Sequence, residues 1–199
     1  IRFNEGLSIL KKVVEVETDQ TDSLLLPEDK RFDRLVSSRK PFGLETTFKG
    51  KATKGPDDVL VYQNGGTGYF ARSSVSAGAQ FIDKWKVFTG RAAPGTGNKD
   101  TYPHRIISTP FLGEPQAISS ETYLCIGPFD SKSEAESVLS YLACRLTRLL
   151  ILLHKPSQDT TRKVYTFVPT QDWTRVWTDD ALYTKYGLSD AEVAFVEKV

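Results

Sequence analysis

The strongest fold signal in the chain is residues Thr122–Lys155, TYLCIGPFDSKSEAESVLSYLACRLTRLLILLHK. Its first part, Tyr123–Phe129, is a short apolar run closed by a Gly-Pro pair, and it predicts one buried strand. Ser131 and Glu134 then have the S-x-x-E spacing of a capping box, in which both side chains satisfy free backbone N–H groups at a helix start. The sequence therefore predicts a strand followed directly by a helix.

Beyond the capping box, apolar residues recur at spacings of three and four, the pattern of one buried helix face. These residues are Ala135, Val138, Leu139, Leu142, Leu146, Leu149, Leu150 and Leu153. Pro156 ends the pattern, so we expect one continuous helix up to Lys155. Arg145 and Arg148 fall on the other face, where the helix meets solvent or a partner. Strand and helix together form the predicted spine of the core.

Shorter segments on both sides predict the rest of an α+β fold. Helices are expected at residues 3–16 and 29–35 and twice within 171–199, and strands at Val59–Gln63, Gly68–Ser73, Lys84–Arg91, His104–Phe111 and Lys163–Val168. The first two strands flank the turn NGGTG and predict a hairpin. We expect a mixed β-sheet packed on one long helix. The chain divides into an N-terminal helical segment, 1–38, an α+β core, 39–170, and a helical C-terminal tail, 171–199, packed on that core.

The tail carries its own start and stop signals. Thr178, with Ala181 three positions later, begins one helix, Gly187 ends it, and Ser189 with Glu192 forms a second capping box. The residues expected to fasten the tail to the core are Trp173, Trp177, Leu182, Tyr183 and Tyr186. Stacking of these aromatic rings on nucleic-acid bases is the alternative.

The composition is that of an ordinary globular protein, with a formal net charge of +1 over 199 residues. No apolar run approaches the roughly 20 residues that span a bilayer, and no hydrophobic leader is present, so we expect a cytoplasmic protein. Cys125 and Cys144 fall on the predicted strand and helix and are expected to be buried free thiols. The chain has no Met and begins at Ile1, which suggests a piece of a larger protein.

Charge is unevenly distributed along the chain. Residues 39–105 hold eleven Lys and Arg against five Asp and Glu, whereas residues 171–199 hold three against six. A basic middle between acidic ends suits a surface that faces a polyanion. Ordinary solvated lysines would give the same counts, so both interpretations stay open.

No catalytic pattern emerges from the motifs. The two histidines, His104 and His154, have no Cys, Asp or second His at metal-ligand spacing, and no metal site is expected. The NGGTG segment lacks the Lys and the following helix of a phosphate-binding loop. Asp22 and Glu28 with Lys30 could hold Mg²⁺ as in a nuclease, but their segment is polar and not strand-like. The sequence favours a binding module.

Basic residues near predicted turns and strand starts are the candidates for contact with nucleic acid. They are Arg39, Lys40, Lys84, Lys86, Arg91, Lys99, Arg105, Arg162 and Lys163. Lys84 and Lys86, two positions apart, should share one face of their strand. Arg can bind guanine through paired acceptors, while Lys mostly holds phosphate. The amides that could contact adenine are Gln63, Asn64, Asn98 and Gln158.

Several segments, taken in this order, resemble one family: SSRKPFGL, KVFTGRA, ETYLCIG, the helix ending in RLLILLHKPSQ, and KVYTFVPTQDWTRVWTDDALYTKYGLSDAEVAFVE. The chain is similar to the C-terminal region of bacterial restriction–modification adenine-N6 DNA methyltransferases of the type IIG-like kind. In these enzymes one polypeptide carries the methylase and its own sequence-reading domain. The similarity is densest from Glu121 onward, and WTDDALYTKYGLSDAE is its most specific part.

The resemblance implies a target recognition domain that grips double-stranded DNA and places adenine before the methylase domain of the same parent chain. It also implies a mixed β-sheet and a long helix, as in type I specificity subunits. The family's Asn-Pro-Pro signature and glycine-rich cofactor motif are absent here, so no catalytic residue carries over. No cofactor is expected in this chain, and S-adenosylmethionine would belong to the missing methylase domain.

Two alternatives stay open. The chain could be a scaffold that docks on the methylase or a partner subunit and touches DNA little. It could also be a small standalone nuclease that uses the acids of its N-terminal segment.

Overall fold

The computed structural model describes residues 4–92, 106–157 and 159–199. Six α-helices occur in this part of the chain: α1 (Asn4–Thr18), α2 (Ala79–Ile82), α3 (Lys132–Ala143), α4 (Arg145–His154), α5 (Asp179–Tyr186) and α6 (Asp190–Lys198). Its strands are β1 (Asp58–Gln63), β2 (Gly66–Ala71), β3 (Trp85–Gly90), β4 (Phe111–Gly113), β5 (Ala117–Ser119) and β6 (Tyr123–Phe129). Short 3₁₀ helices lie at Glu28–Lys30, Phe32–Leu35, Arg72–Ser74 and Arg162–Tyr165. The fold is α+β, as the sequence predicts.

The described strands form two three-stranded sheets instead of one mixed sheet. The first sheet has the order β2-β1-β5, with β1 antiparallel to β2 and parallel to β5. It contains the predicted hairpin, in which Gln63 pairs with Gly66 across the turn. The second sheet has the order β4-β3-β6 and is antiparallel throughout. Its strand β6 coincides with the predicted buried strand.

The predicted long helix is broken into α3 and α4, whose axes differ by 69°. Cys144 separates them with extended backbone, at φ −63° and ψ 138°. The capping box begins α3 as predicted, with the backbone N–H of Glu134 donating to Ser131 Oγ over 3.2 Å. After the bend α4 is buried around most of its circumference, including the consecutive residues Leu149–Leu153. The prediction of one continuous helix is therefore wrong, because α4 turns to bury several sides at once.

Two predicted strands are also wrong. Lys163–Val168 overlaps the 3₁₀ helix Arg162–Tyr165, because Tyr165, at 0% exposure, turns into the core and leaves no extended ladder. His104–Phe111 shows no strand over residues 106–110, and β4 begins only at Phe111. The first two residues of that prediction lie outside the described residues.

Two apolar clusters hold these elements together. The larger cluster gathers α1, α3, α4, both C-terminal helices and one face of the second sheet. The smaller cluster lies between the first sheet, α2 and the opposite face of the second sheet, where Phe88 and Cys125 contribute. The N-terminal helix and the C-terminal tail thus share one core with the central strand and helices.

The C-terminal tail follows its predicted pattern. Thr178 Oγ1 accepts from the N–H of Ala181 over 3.2 Å, Gly187 ends α5 at φ 59°, and the capping box of Ser189 and Glu192 begins α6. The side chains buried in the larger cluster are Trp177, Leu182, Tyr183 and Tyr186, and Trp173 packs against it. Tertiary packing accounts for these rings, as the sequence predicts.

Within the described residues, none of the helices is by itself both long enough and apolar enough to cross a membrane. Cys125 and Cys144 are buried free thiols, as predicted. Burial raises the pKa of each thiol to about 12, so both stay protonated at neutral pH.

Candidate nucleic-acid interface

Four of the nine predicted basic residues come from three separate segments and line one cleft of about 390 Å³. They are Arg39, Arg91, Arg162 and Lys163, and the wall is completed by Ser37, Ser38, Leu124 and Thr161. We call this set the basic cleft. Its volume falls in the range of small-ligand sites, about 300–1,000 Å³. The fold thus places side chains together that are up to 124 positions apart in sequence.

Backbone hydrogen bonds at one end of the second sheet bring these segments together. The N–H of Ser37 donates to the carbonyl of Cys125 over 2.8 Å, and Ser37 Oγ accepts from the N–H of Cys125 over 3.0 Å. The N–H of Arg91 donates to the carbonyl of Thr122 over 3.0 Å, and its own carbonyl accepts from Thr160 over 2.7 Å. The walls of the cleft are therefore tied to β3 and β6.

A buried carboxylate, Glu121, lies behind two of the arginines. Arg39 Nε donates to Glu121 Oε1 over 2.5 Å, and Arg91 Nη1 donates to the same oxygen. Only 5% of the Glu121 side chain is exposed, against 69% for Arg39 and 24% for Arg91. Burial alone would raise the pKa of Glu121, but the hydrogen bond and charge of Arg39 and the charge of Arg91 outweigh it and hold the pKa below its ordinary value. Glu121 is therefore ionised.

The sequence reasoning missed Glu121. The signal was available, because Glu121 is the one charged residue between Pro115 and Phe129 and lies two residues before the apolar strand β6. A lone carboxylate at the start of a buried strand needs a cationic partner. Identifying those partners required the fold.

Arg162 and Lys163 also line the cleft. Both side chains are exposed, and neither forms an ion pair within the part of the chain that the structure describes. The four cations of the basic cleft and the single carboxylate of Glu121 leave a formal charge of +3. The cleft is therefore electrostatically suited to an anion.

Lys40 and Lys84 do not line the basic cleft. Lys40 Nζ pairs with Glu45 at the rim and lies 4.0 Å from Glu121 Oε2. Lys84 pairs with Asp130 just before β3 begins, whereas the cleft lies at the other end of that strand. Six strand residues at about 3.3 Å each separate them by roughly 20 Å. Lys84 therefore belongs to another part of the surface.

The prediction that Lys86 contacts nucleic acid is wrong, because its side chain is fully buried between the two sheets. Its Nζ donates to the carbonyls of Glu114 and Ala117 at 2.9 Å and of Ile82 at 3.3 Å. Burial lowers the pKa of Lys86 to about 8, against the opposing effect of nearby negative groups. Lys84 and Lys86 do not share an open face, since β3 is covered on both sides.

The remaining predicted contacts divide into two groups. Those outside the described residues are Lys99, Arg105, Asn98 and Gln158. Gln63 serves the fold, because its Oε1 accepts from the N–H of Gly50 over 2.8 Å. Asn64 lies exposed in the hairpin turn.

Nothing in the described ranges resembles a metal centre: no three or more His, Cys, Asp or Glu side chains are grouped to hold an ion. His154 packs its ring against Phe167, with 4.7 Å between the ring centroids. Asp22, Glu28 and Lys30, the residues considered for a nuclease, are all exposed. The basic cleft is the strongest candidate site that the structure describes.

Comparison with known proteins finds no matching family model, no matching curated protein and no matching solved structure. The resemblance to restriction–modification methyltransferases therefore stays a prediction.

Proposed function

We propose that this chain is a DNA-binding target recognition domain of a restriction–modification adenine-N6 methyltransferase, and that the basic cleft contacts the DNA backbone. The observation that supports this proposal is the convergence of Arg39, Arg91, Arg162 and Lys163 on one cleft. Residue chemistry and predicted placement near turns and strand starts identify these four residues in the sequence, and the fold brings them together. The family assignment itself rests on the sequence resemblance.

The composition of the cleft suits phosphate. Arginine offers a planar fork of donors that matches phosphate oxygens, and lysine adds a compact charge. Because neutralised phosphates release bound counterions, affinity for duplex DNA should fall steeply as salt rises. Phosphate contacts set register and orientation but carry no sequence information directly. Side chains around the cleft would then contact the bases and determine the sequence specificity.

Under this proposal the chain binds and orients DNA and performs no reaction itself. Adenine methylation and S-adenosylmethionine would belong to a methylase domain of the same parent protein. The exposed acids Asp22 and Glu28 of the N-terminal segment then need no catalytic role.

A binding titration on randomised duplex DNA at two salt concentrations, followed by sequencing of the retained DNA, tests the proposal. We expect retention that weakens steeply with salt and enriches a short motif. Salt-sensitive retention without a motif would support the DNA grip and contradict independent sequence reading. No retention at either salt would contradict the proposal and favour a scaffold that docks on the methylase.

A further inference from the structure

Glu121 poses an electrostatic question because its carboxylate contacts two arginines of the basic cleft without lining the cleft itself. A carboxylate in a site for an anion should repel that anion, and removing it should strengthen binding. Yet Glu121 is 5% exposed, ionised and hydrogen-bonded to two of the four cleft cations. The geometry of those hydrogen bonds suggests a different role for it.

The carboxylate engages only one nitrogen of each guanidinium. Arg39 contacts Glu121 Oε1 through Nε, and Arg91 contacts the same oxygen through Nη1. Within the described residues, both terminal nitrogens of Arg39 and the Nε and Nη2 of Arg91 have no acceptor. Each guanidinium therefore keeps a pair of donor nitrogens for a second anion, while the Glu121 carboxylate holds the guanidinium in place.

The backbone fixes Glu121 independently of the arginines. Its N–H donates to the carbonyl of Leu44 over 2.8 Å, and the N–H of the preceding Ser120 donates to Tyr62 over 2.9 Å. The backbone at Glu121 is therefore tied to the first sheet through Ser120, whereas Arg91 follows a strand of the second sheet. An anion approaching from solvent meets the exposed Arg39 before it meets the covered carboxylate.

We propose that Arg39, Glu121 and Arg91 form a preorganised clamp for one backbone phosphodiester of duplex DNA, with Glu121 as the positioning residue. The ligand assignment rests on the proposed function, whereas the clamp geometry does not. The volume of about 390 Å³ admits one phosphate with its sugar. Arg162 and Lys163 line the same cleft and add two positive charges.

The decisive variant is Glu121→Gln, which keeps the shape of the side chain and removes its charge. Simple electrostatics predicts tighter DNA binding, because the cleft becomes more positive. The clamp predicts weaker binding, on the order of tenfold in Kd, because a neutral amide oxygen holds the two guanidinium groups more weakly than a carboxylate and the ligand must then order two long side chains. The control is Glu45→Gln, which removes an exposed carboxylate that pairs with Lys40 and hydrogen-bonds to Glu121, and which keeps both arginine contacts of Glu121. Glu45→Gln should leave Kd unchanged or lower it.

Binding is measured with a labelled duplex that lacks terminal phosphates, so that only backbone phosphodiesters are present. Weaker binding by Glu121→Gln alone supports the clamp. Equal or tighter binding by Glu121→Gln overturns it and makes Glu121 a competing anion.

A second pair of variants covers the case in which Glu121→Gln does not fold. Arg39 is 69% exposed, so Arg39→Gln should fold, and it should weaken duplex binding by roughly tenfold. Lys40→Gln removes the same charge from the next residue and should weaken duplex binding clearly less than Arg39→Gln does. Equal losses from the two variants overturn the clamp.

Thermal stabilisation by pyrophosphate shows whether the clamp proposal or the proposed function has failed. If the wild type does not bind the duplex, its thermal stabilisation by pyrophosphate is compared with that of Arg39→Gln. Stabilisation that Arg39→Gln loses supports a phosphoryl clamp while contradicting the DNA assignment. No stabilisation of the wild type overturns both.

Discussion

Replacing Lys86 by Met tests how a buried ammonium is held between the two sheets. The wild-type side chain has 0% exposure, and its Nζ donates to three backbone carbonyls, those of Ile82, Glu114 and Ala117. Methionine has a similar length and no donor, so Lys86→Met leaves these carbonyls unpaired. That cost is the same at every pH. The pH dependence of the difference between the two proteins therefore reports the charge of Lys86 itself.

The sign and size of that dependence follow from the pKa of Lys86. Burial lowers it from 10.5 to about 8, while the negative charge of Asp83 acts in the opposite direction. Between these two values the unfolded chain binds more protons than the folded one, so the free energy of unfolding rises with pH. At about 1.4 kcal/mol per proton and pH unit, the wild type should gain about 1 kcal/mol over Lys86→Met between roughly pH 7 and 9.

Urea denaturation of both proteins at pH 7, 8 and 9 measures this gain. Cys125 and Cys144, whose folded pKa values are raised to about 12, lose protons first in the unfolded chain, but they do so in both proteins and cancel. Lys84→Met, at an exposed site, is the matched control and should show no change over this range. A difference between wild type and Lys86→Met that stays constant or shrinks with pH would refute a buried ammonium.

Two further predictions concern α4 and the C-terminal tail. Asp179→Ala should lower the free energy of unfolding by about 1 kcal/mol in urea denaturation, because the carboxylate accepts from the N–H of Leu146 over 3.2 Å at the start of α4. Asp180→Ala should cost far less, and equal costs would contradict this capping role. Burial raises the pKa of Glu192, but hydrogen bonds led by that from Lys12 lower it overall to about 2. The stabilisation that ionised Glu192 contributes is present above pH 4.5 and is lost as pH falls towards 2. Glu192→Gln should therefore weaken the pH dependence of the free energy of unfolding in acid. An unchanged pH dependence would contradict this role of Glu192.

Elements that depend on neighbouring residues were predictable from the sequence. The capping box of Ser131 and Glu134 and that of Ser189 and Glu192 form as predicted, because both partners lie within one helical turn. The hairpin of β1 and β2 forms for the same reason, since its turn and both strands are contiguous. The prediction of one long helix was wrong because the apolar spacing continues across Cys144 although the backbone bends there. The N–H at the start of α4 is satisfied from α5, and no local pattern shows that contact.

The candidate site was predictable in residue type but not in arrangement. Arg39, Arg91 and the pair Arg162 and Lys163 could be named from chemistry, but their convergence depends on the pairing of β3 with β6 and on backbone contacts of distant segments. The prediction that Lys86 is exposed was wrong because alternation along a strand predicts an exposed face only when one face of the sheet is open to solvent. Here both faces of β3 are covered by separate apolar clusters.

The salt dependence of duplex DNA binding tests the central claim most directly. The comparison is between wild type, Arg162→Ala/Lys163→Ala, and the control Lys11→Ala/Lys198→Ala, which removes two exposed charges from helices that do not line the basic cleft. If the basic cleft holds DNA phosphates, the cleft variant should bind more weakly and its log–log salt slope should flatten by about 1.8, while the control keeps the wild-type slope. A wild-type slope in the cleft variant, or the same flattening in both variants, would contradict the claim that this cleft is where the chain grips DNA.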